Sequence, residues 1–418
     1  MTRVRCVSGP AALSAMPFVL AHVSDLHVST FGDTLHDRLG RIRRSARIAD
    51  VSEARWEIVW SEAGWRVLHQ RGARAGRIAL VDPAGYAHPV PSARASGGNR
   101  DPVERAAARA CRLEARRAST LASSVPSEGA LSILEEATPT NTNLRLLRAA
   151  RVVEASDVDA VLVTGDLTED GDGYELVTAA FARYRERGRL FVIPGNHDLY
   201  LMPMGGSTRP PATHASKRAR WRAFAAELGH ELHETGAWVK TIPEAETILV
   251  GLDSCARPQR RFYRHNGAVG PEQLAYLRAV GQRADWKAAR HRLIAIHHHV
   301  VPLPLGIGRR TPLELGMRLD DSREASEVFE AIGVTAVLHG HRHISEERRP
   351  AGTHFRILAS PSLTLGCLSG DGPSFWRVEL GERMHTDRVH VPLAAVERDD
   401  EDGASDGDTT TEGPDRDD

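Results

Sequence analysis

Five short apolar runs constrain the fold of this chain more than any other feature: Phe18–Val23, Ala160–Val163, Leu190–Ile193, Leu293–Ile296 and Thr335–Leu338. Each is four to six residues long and stopped by polar or glycine residues. Runs without polar alternation read as strands buried on both faces, the pattern of a parallel sheet covered by helices. Helical patterns lie between them. Asn143–Ala155 and Tyr174–Arg187 repeat apolar residues at helical spacing, and the second stops before Gly188. Ser216–Leu228 ends at Gly229, where a C-terminal glycine belongs. Pro271, a residue favoured at the first helical position, opens a helix to about Val280. Strands alternating with helices give an α/β layered fold. Leu249–Asp253 and His354–Ala359 are candidates for further strands.

The long interval between the first two runs holds something extra. Arg55–His69 alternates Trp56, Ile58 and Trp60 around the turn-like Glu62-Ala63-Gly64, and Ile78–Val90 carries a second turn at Asp82-Pro83-Ala84-Gly85. Two hairpins are expected, then a helix from Pro102 to about Ala118 with Asp101 as its N-cap. Residues 50–139 therefore read as an inserted α+β subdomain interrupting a main domain at 17–395. Residues 396–418 are acidic and almost devoid of apolar side chains, so a disordered tail is expected there. Met16 stands directly before the first strand, and residues 1–16 read as a disordered or mis-assigned extension.

Charge narrows the classes of partner. With 54 basic against 55 acidic residues in 418, no overall field draws the chain to nucleic acid or an anionic membrane. Between Arg38 and Arg117 there are 17 Arg against 8 acidic residues, with Trp56, Trp60 and Trp65 among them. Such a segment fits either a nucleic-acid surface or a solvated face over a small core. The second is preferred, because the whole chain uses Arg as its cation and has only Lys217, Lys240 and Lys287 as lysines. Four scattered cysteines give neither a zinc knuckle nor a disulfide framework, which fits a reducing cytoplasm. No apolar stretch approaches the length of a membrane span.

The residues just beyond each strand carry the chemistry. Asp25 and His27 come after the first run, Gly165-Asp166 after the second, Gly195-Asn196-His197-Asp198 after the third, His297-His298-His299 after the fourth and Gly340-His341-Arg342-His343 after the fifth. Parallel sheets place their sites at the carboxyl ends of strands. Residues two apart on an extended chain point to one side, so Asp25 and His27 are expected to share one metal by strand alternation. One such fragment alone is weak, but five in order at strand ends form a metal-ligand pattern. Oxygen and imidazole donors without thiolates suit Mn, Fe, Zn or Co.

These residues resemble the calcineurin-like metallophosphoesterase superfamily over about 17–48 and 140–395. The resemblance implies a β-sheet sandwich flanked by helices, two metal ions and hydrolysis of a phosphate ester by a metal-bridging hydroxide. It implies one ion held by Asp25, His27, Asp166 and His343, and a second held by Asp166, Asn196, His298 and His341. Asp166 would bridge. His298 is chosen from the triplet with His297 as the alternative; His297 and His299, like His22 and His339, otherwise serve as packing or support. His197 would act on the phosphoryl or leaving oxygen, oriented by Glu169 or Asp170.

The expected substrate is a phosphorylated small molecule or nucleotide. The motifs lean toward the cyclic-nucleotide phosphodiesterase and exonuclease-like branch, and so toward diesters. Tyr200–Lys217 and Pro302–Arg310 come after ligand-bearing strands and are expected to shape the pocket. The competing readings are a metal-binding scaffold without catalysis and a nucleic-acid-binding or nuclease-type protein using the Arg-rich insertion.

Overall fold

The computed structural model describes residues 16–29, 56–71, 78–81, 87–88, 90, 101–120, 127, 129–132, 141–169, 171, 173–200, 214–255, 266–301, 317–367 and 370–392. The expected N-terminal extension, the acidic tail, the Asp82–Gly85 turn, most of Tyr200–Lys217 and the whole of Pro302–Arg310 lie outside these.

The strands, in chain order, are β1 (Phe18–Val23), β2 (Trp56–Glu62), β3 (Trp65–Gln70), β4 (Ile78–Val81), β5 (Ala87–His88), β6 (Ala160–Thr164), β7 (Leu190–Ile193) and β8 (Trp238–Ile242). They continue as β9 (Thr247–Gly251), β10 (His291–Ala295), β11 (Ala336–His339), β12 (Glu346–Arg348), β13 (Arg356–Ala359), β14 (Ser374–Leu380) and β15 (Met384–His390). The five apolar runs are all strands, but they divide between two sheets. One sheet has the order β15-β14-β1-β6-β7, the other β12-β13-β11-β10-β9-β8. β1, β6 and β7 pair in parallel, as do β9, β10, β11 and β13; β14, β15, β8 and β12 are antiparallel additions.

Continuous apolar runs are what this architecture requires, because each central strand is covered twice. From β1, Phe18 and Leu20 face inward with Leu162, Phe191 and Ile193 to meet Trp238, Leu249, Leu293, Leu338 and Leu358 of the second sheet. The alternate residues Val19, Ala21, Val23, Val161 and Val163 face outward onto Leu146, Leu147 and Val153 of the helix Thr142–Ala155. The second sheet repeats this, with Val250, Ile294 and Val337 against Leu274, Leu277, Val328 and Phe329 of the helices Pro271–Gln282 and Ser322–Ala331. Each such side chain contributes roughly 1.5–3 kcal/mol on leaving water, so the two layers hold the strand ends rigidly in register. The result is a sandwich of two sheets with helices outside, as the resemblance implied.

The described residues between 56 and 120 form a separate small layer. β2 to β5 make a four-stranded antiparallel sheet. Trp65, Val67 and Leu80 bury against Ala106, Ala110 and Leu113 of the helix Pro102–Thr120, whose start is capped by Asp101 Oδ1 accepting from Val103 N–H at 2.8 Å. The first hairpin turns at Ala63 and Gly64, with φ of 47° and 80°. Positive φ at both central residues is the twist-matching hairpin turn. Tyr174–Arg187, expected as one helix, is two, Tyr174–Ala180 and Ala182–Glu186, broken at Phe181, whose ring is fully buried.

Candidate metal centre

Each motif residue reaches the site from a tight turn at the carboxyl end of a strand. Among the described residues, eight non-glycine positions have positive φ, and five are Asp25, His27, Asp166, His341 and His343. Side chains rarely adopt that region, at a cost of about 1–3 kcal/mol each, so the surroundings must impose it. They do so through backbone bonds across the sheet: Asp25 N–H donates to Gly165 O and His27 N–H to Asp166 O, both at 3.0 Å. Ser362 and Thr364 hydroxyls donate to Asp25 O and Leu26 O at 2.6 and 2.9 Å. The expected strand alternation is therefore corrected. Asp25 and His27 share a direction because both sit in left-handed turns beyond β1, where an extended strand would have ended their register.

The glycines preceding these ligands are required by close approach. A Cβ on Gly195 would stand 2.1 Å from Asp166 Oδ1, and one on Gly340 2.3 Å from Asp25 Oδ2. Gly165, at φ +95°, would place its Cβ 2.4 Å from His297 Nδ1. Asp198 ties two motifs together, its carboxylate accepting from Leu167 N–H, Thr168 N–H and Gly195 N–H at 3.1, 3.0 and 2.9 Å.

Two groups of donor atoms result. Asp25 Oδ1 lies 3.3 Å from His343 Nε2 and 3.9 Å from His27 Nε2, and those two nitrogens are 3.0 Å apart. In the second group His297 Nε2 lies 3.3 Å from Asp166 Oδ2, 3.1 Å from Asn196 Oδ1 and 3.2 Å from His341 Nδ1. Donors about 2.1 Å from a common ion stand roughly 3.4 Å from one another, so these spacings fit. Asp166 also clusters with His27 and His197, which places it between the two groups. Asp25 Oδ1 is buried without a hydrogen-bond partner, as an oxygen directed at a cation would be.

Seven of the eight expected site residues converge, and one does not. The imidazole that meets Asp166 and Asn196 is His297, not the expected His298. The chain leaves β10 so that successive rings diverge. His297 passes beneath Gly165, with Nδ1 2.8 Å from Thr164 O. A carbonyl only accepts, so Nδ1 carries the proton and Nε2 is left as the ligand atom. His298 turns away: its Nδ1 lies 2.7 Å from Ser254 Oγ, and Gly267 gives it room. His22, His299 and His339 are buried behind the site and held neutral, His22 at about 3 and His339 at about 4, chiefly by burial.

Glu169 organises the opposite wall. Its Oε2 lies 2.5 Å from His197 Nδ1 and 3.3 Å from His27 Nδ1, which leaves each Nε2 facing the centre. Asp170 lies outside the described residues. Lys217 was missed in the sequence. It is buried at 2 % exposure, and its ammonium donates to His197 O and Tyr200 O at 2.6 and 2.8 Å, clamping the turn that carries His197. The available signal was a lysine in a chain that otherwise chooses arginine.

Electrostatics in the protein alone match a site that exchanges protons for cations. Burial opposes charge on every group here, yet the imidazoles hold Asp166 and Glu169 well below the usual carboxylate range. In return, Glu169, Asp166 and Asp25 outweigh the burial of His27 and push it up to about 9; Asp166 and Asp25 do the same for His297, also to about 9. With the unfolded value near 6.5, these protons stabilise the metal-free fold below about pH 6.5, and that contribution is lost as pH rises through 9. Metal binding must displace the same protons. Apparent affinity for Mn or Zn is expected to rise about tenfold per pH unit for each proton displaced, measured by calorimetry in two buffers of different ionisation enthalpy. A pH-independent affinity without proton release would contradict it.

Residues 139–345 match the pattern of the family described as calcineurin-like phosphoesterase. Among solved structures, a dimetal phosphatase from Danio rerio is 15 % identical over 61 % of this chain and 90 % of its own, with a TM-score of 0.41. Purple acid phosphatase PPD1 from yellow lupin is 10 % identical over 60 % and 48 %, with a TM-score of 0.38. The sulfate thiohydrolase SoxB from Thermus thermophilus is 15 % identical over 91 % and 58 %, with a TM-score of 0.36. No curated protein matches the chain.

Proposed function

The chain is a calcineurin-like metallophosphoesterase, and from that premise we propose that it cleaves phosphodiesters in preference to monoesters, using a pair of ions bridged by Asp166. One observation supports the paired ions: Asp166 lies at ligand spacing from His27 and His197 in one group and from His297 and His341 in another. The proposed ligands are Asp25, His27, Asp166 and His343 for one ion, and Asp166, Asn196, His297 and His341 for the other. When bound, such ions acidify water and neutralise charge on the phosphoryl oxygens. The protein's own part is positioning and proton transfer. Glu169 fixes the His197 ring through Nδ1, so Nε2 is the atom that would face the leaving oxygen and pass a proton to it. At 9 % exposure His197 is the most accessible of the buried site residues, where a substrate would arrive.

Residues 17–395 are proposed as one catalytic domain interrupted at 50–139. Among the described residues no helix is long and apolar enough to cross a membrane. The diester preference is tested by turnover of bis-nitrophenyl against mono-nitrophenyl phosphate after Mn, Co, Zn or Fe is added. The expected result is a higher kcat/KM for the diester; a higher value for the monoester would move the chain to the phosphomonoesterases.

A further inference from the structure

A cavity of about 520 Å³ lies at the other end of the second sheet, formed where β10, β11 and β13 begin and where β14 turns into β15. It is lined by Arg292, Arg349, Arg356 and Arg383, with Glu330 the sole carboxylate among its lining residues. Ligand cavities in proteins run from about 300 to 1,000 Å³, so this volume admits a small molecule. Arg292 and the proposed metal ligand His297 stand at opposite ends of the same strand, five residues and about 16 Å apart. The cavity is therefore not part of the metal centre.

The charges in it are poorly compensated. Arg356 is satisfied, donating to Glu347 Oε1 at 2.8 Å and Met384 O at 2.6 Å. Glu330 is engaged by the backbone N–H of His354 at 3.2 and 3.0 Å. Arg292, Arg349 and Arg383 form no salt bridge among the described residues, and Arg292 Nε is buried without a hydrogen-bond partner. The Arg292 guanidinium lies alongside Gly333, where a Cβ would stand 3.7 Å from Cζ in ordinary contact. A buried donor left unpaired is costly, and guanidinium donors match the oxygens of phosphate two at a time.

We propose that this cavity binds a small phosphorylated molecule, its phosphate or pyrophosphate group held by Arg292, Arg349 and Arg383. Such a ligand supplies the missing acceptor for Arg292 and the missing negative charge for the other two. Binding here leaves the metal centre open, so ligand and substrate are held at the same time.

The test is calorimetric titration of pyrophosphate into the full-length chain carrying Asp166→Asn, so that the probe is not consumed. The same titration is run with Arg349→Ser and Arg383→Ser added. Both arginines are exposed, so their loss spares the core. The first protein is expected to bind one equivalent that the second binds at least about tenfold more weakly. The double change in the parent background is expected to leave diester turnover without pyrophosphate unaltered. Identical isotherms for the two proteins, or no saturable binding in the first, would overturn the proposal.

Discussion

Replacing Asp166 with Asn is expected to lower metal-restored phosphoester turnover by about 10³-fold, on the order of 4 kcal/mol of transition-state stabilisation. The size follows from its position. Asp166 belongs both to the group with His27 and His197 and to the group with His297 and His341, so losing its charge weakens both ions together. The fold is expected to survive. Asn keeps an acceptor at Oδ1 for the His197 N–H, now 2.9 Å away, and fits the space beneath Gly195. Circular dichroism should therefore stay near that of the parent while activity and metal content fall. Equal turnover in the two proteins would remove Asp166 from the bridge.

The second large effect separates His297 from its neighbour. His297→Ala removes the nitrogen that meets Asp166, Asn196 and His341, so bound metal should drop from about two ions per chain to about one and turnover by at least about 10²-fold. His298→Ala removes a ring that lies 2.7 Å from Ser254 Oγ and packs against the rings of His297 and His341, at a cost of about 1–3 kcal/mol of stability. Metal content should remain at about two. Elemental analysis of both proteins after loading and desalting decides it: loss of an ion from the His298 variant alone would restore the assignment made from sequence.

The placement of these two rings shows where sequence was sufficient and where it was not. The central strands were legible because burial on both faces demands unbroken apolar runs, and the ligand types at their ends named the chemistry. The antiparallel strands β14 and β15 were hidden. β14 interleaves Arg377 and Glu379 with apolar residues and β15 is mostly polar, as partly solvated strands are, and such segments resemble exposed loops in a linear reading. The division of five runs between two sheets is a long-range property that no local pattern encodes.

Within the site, Asp25, His27, Asp166, His341 and His343 were legible as residues, but not their left-handed backbone, which at Asp25 and His27 is held by their N–H groups donating to Gly165 O and Asp166 O and by the Ser362 hydroxyl donating to Asp25 O. His297 and His298 differ in sequence by one position and in space by which glycine, Gly165 or Gly267, makes room for the ring. The role of Glu169 rests on its contacts with two imidazoles contributed from distant segments, His27 and His197, which no linear reading shows. Lys217 acts through backbone carbonyls, which leave no trace in side-chain patterns.

Anomalous diffraction from crystals of the full-length protein loaded with zinc tests the centre most directly. Two peaks are predicted about 3.5–4 Å apart, with the Asp166 carboxylate between them, His297 Nε2 on one and His343 Nε2 on the other. A single peak, or a peak coordinated by His298 with His297 left on Thr164, would contradict the account.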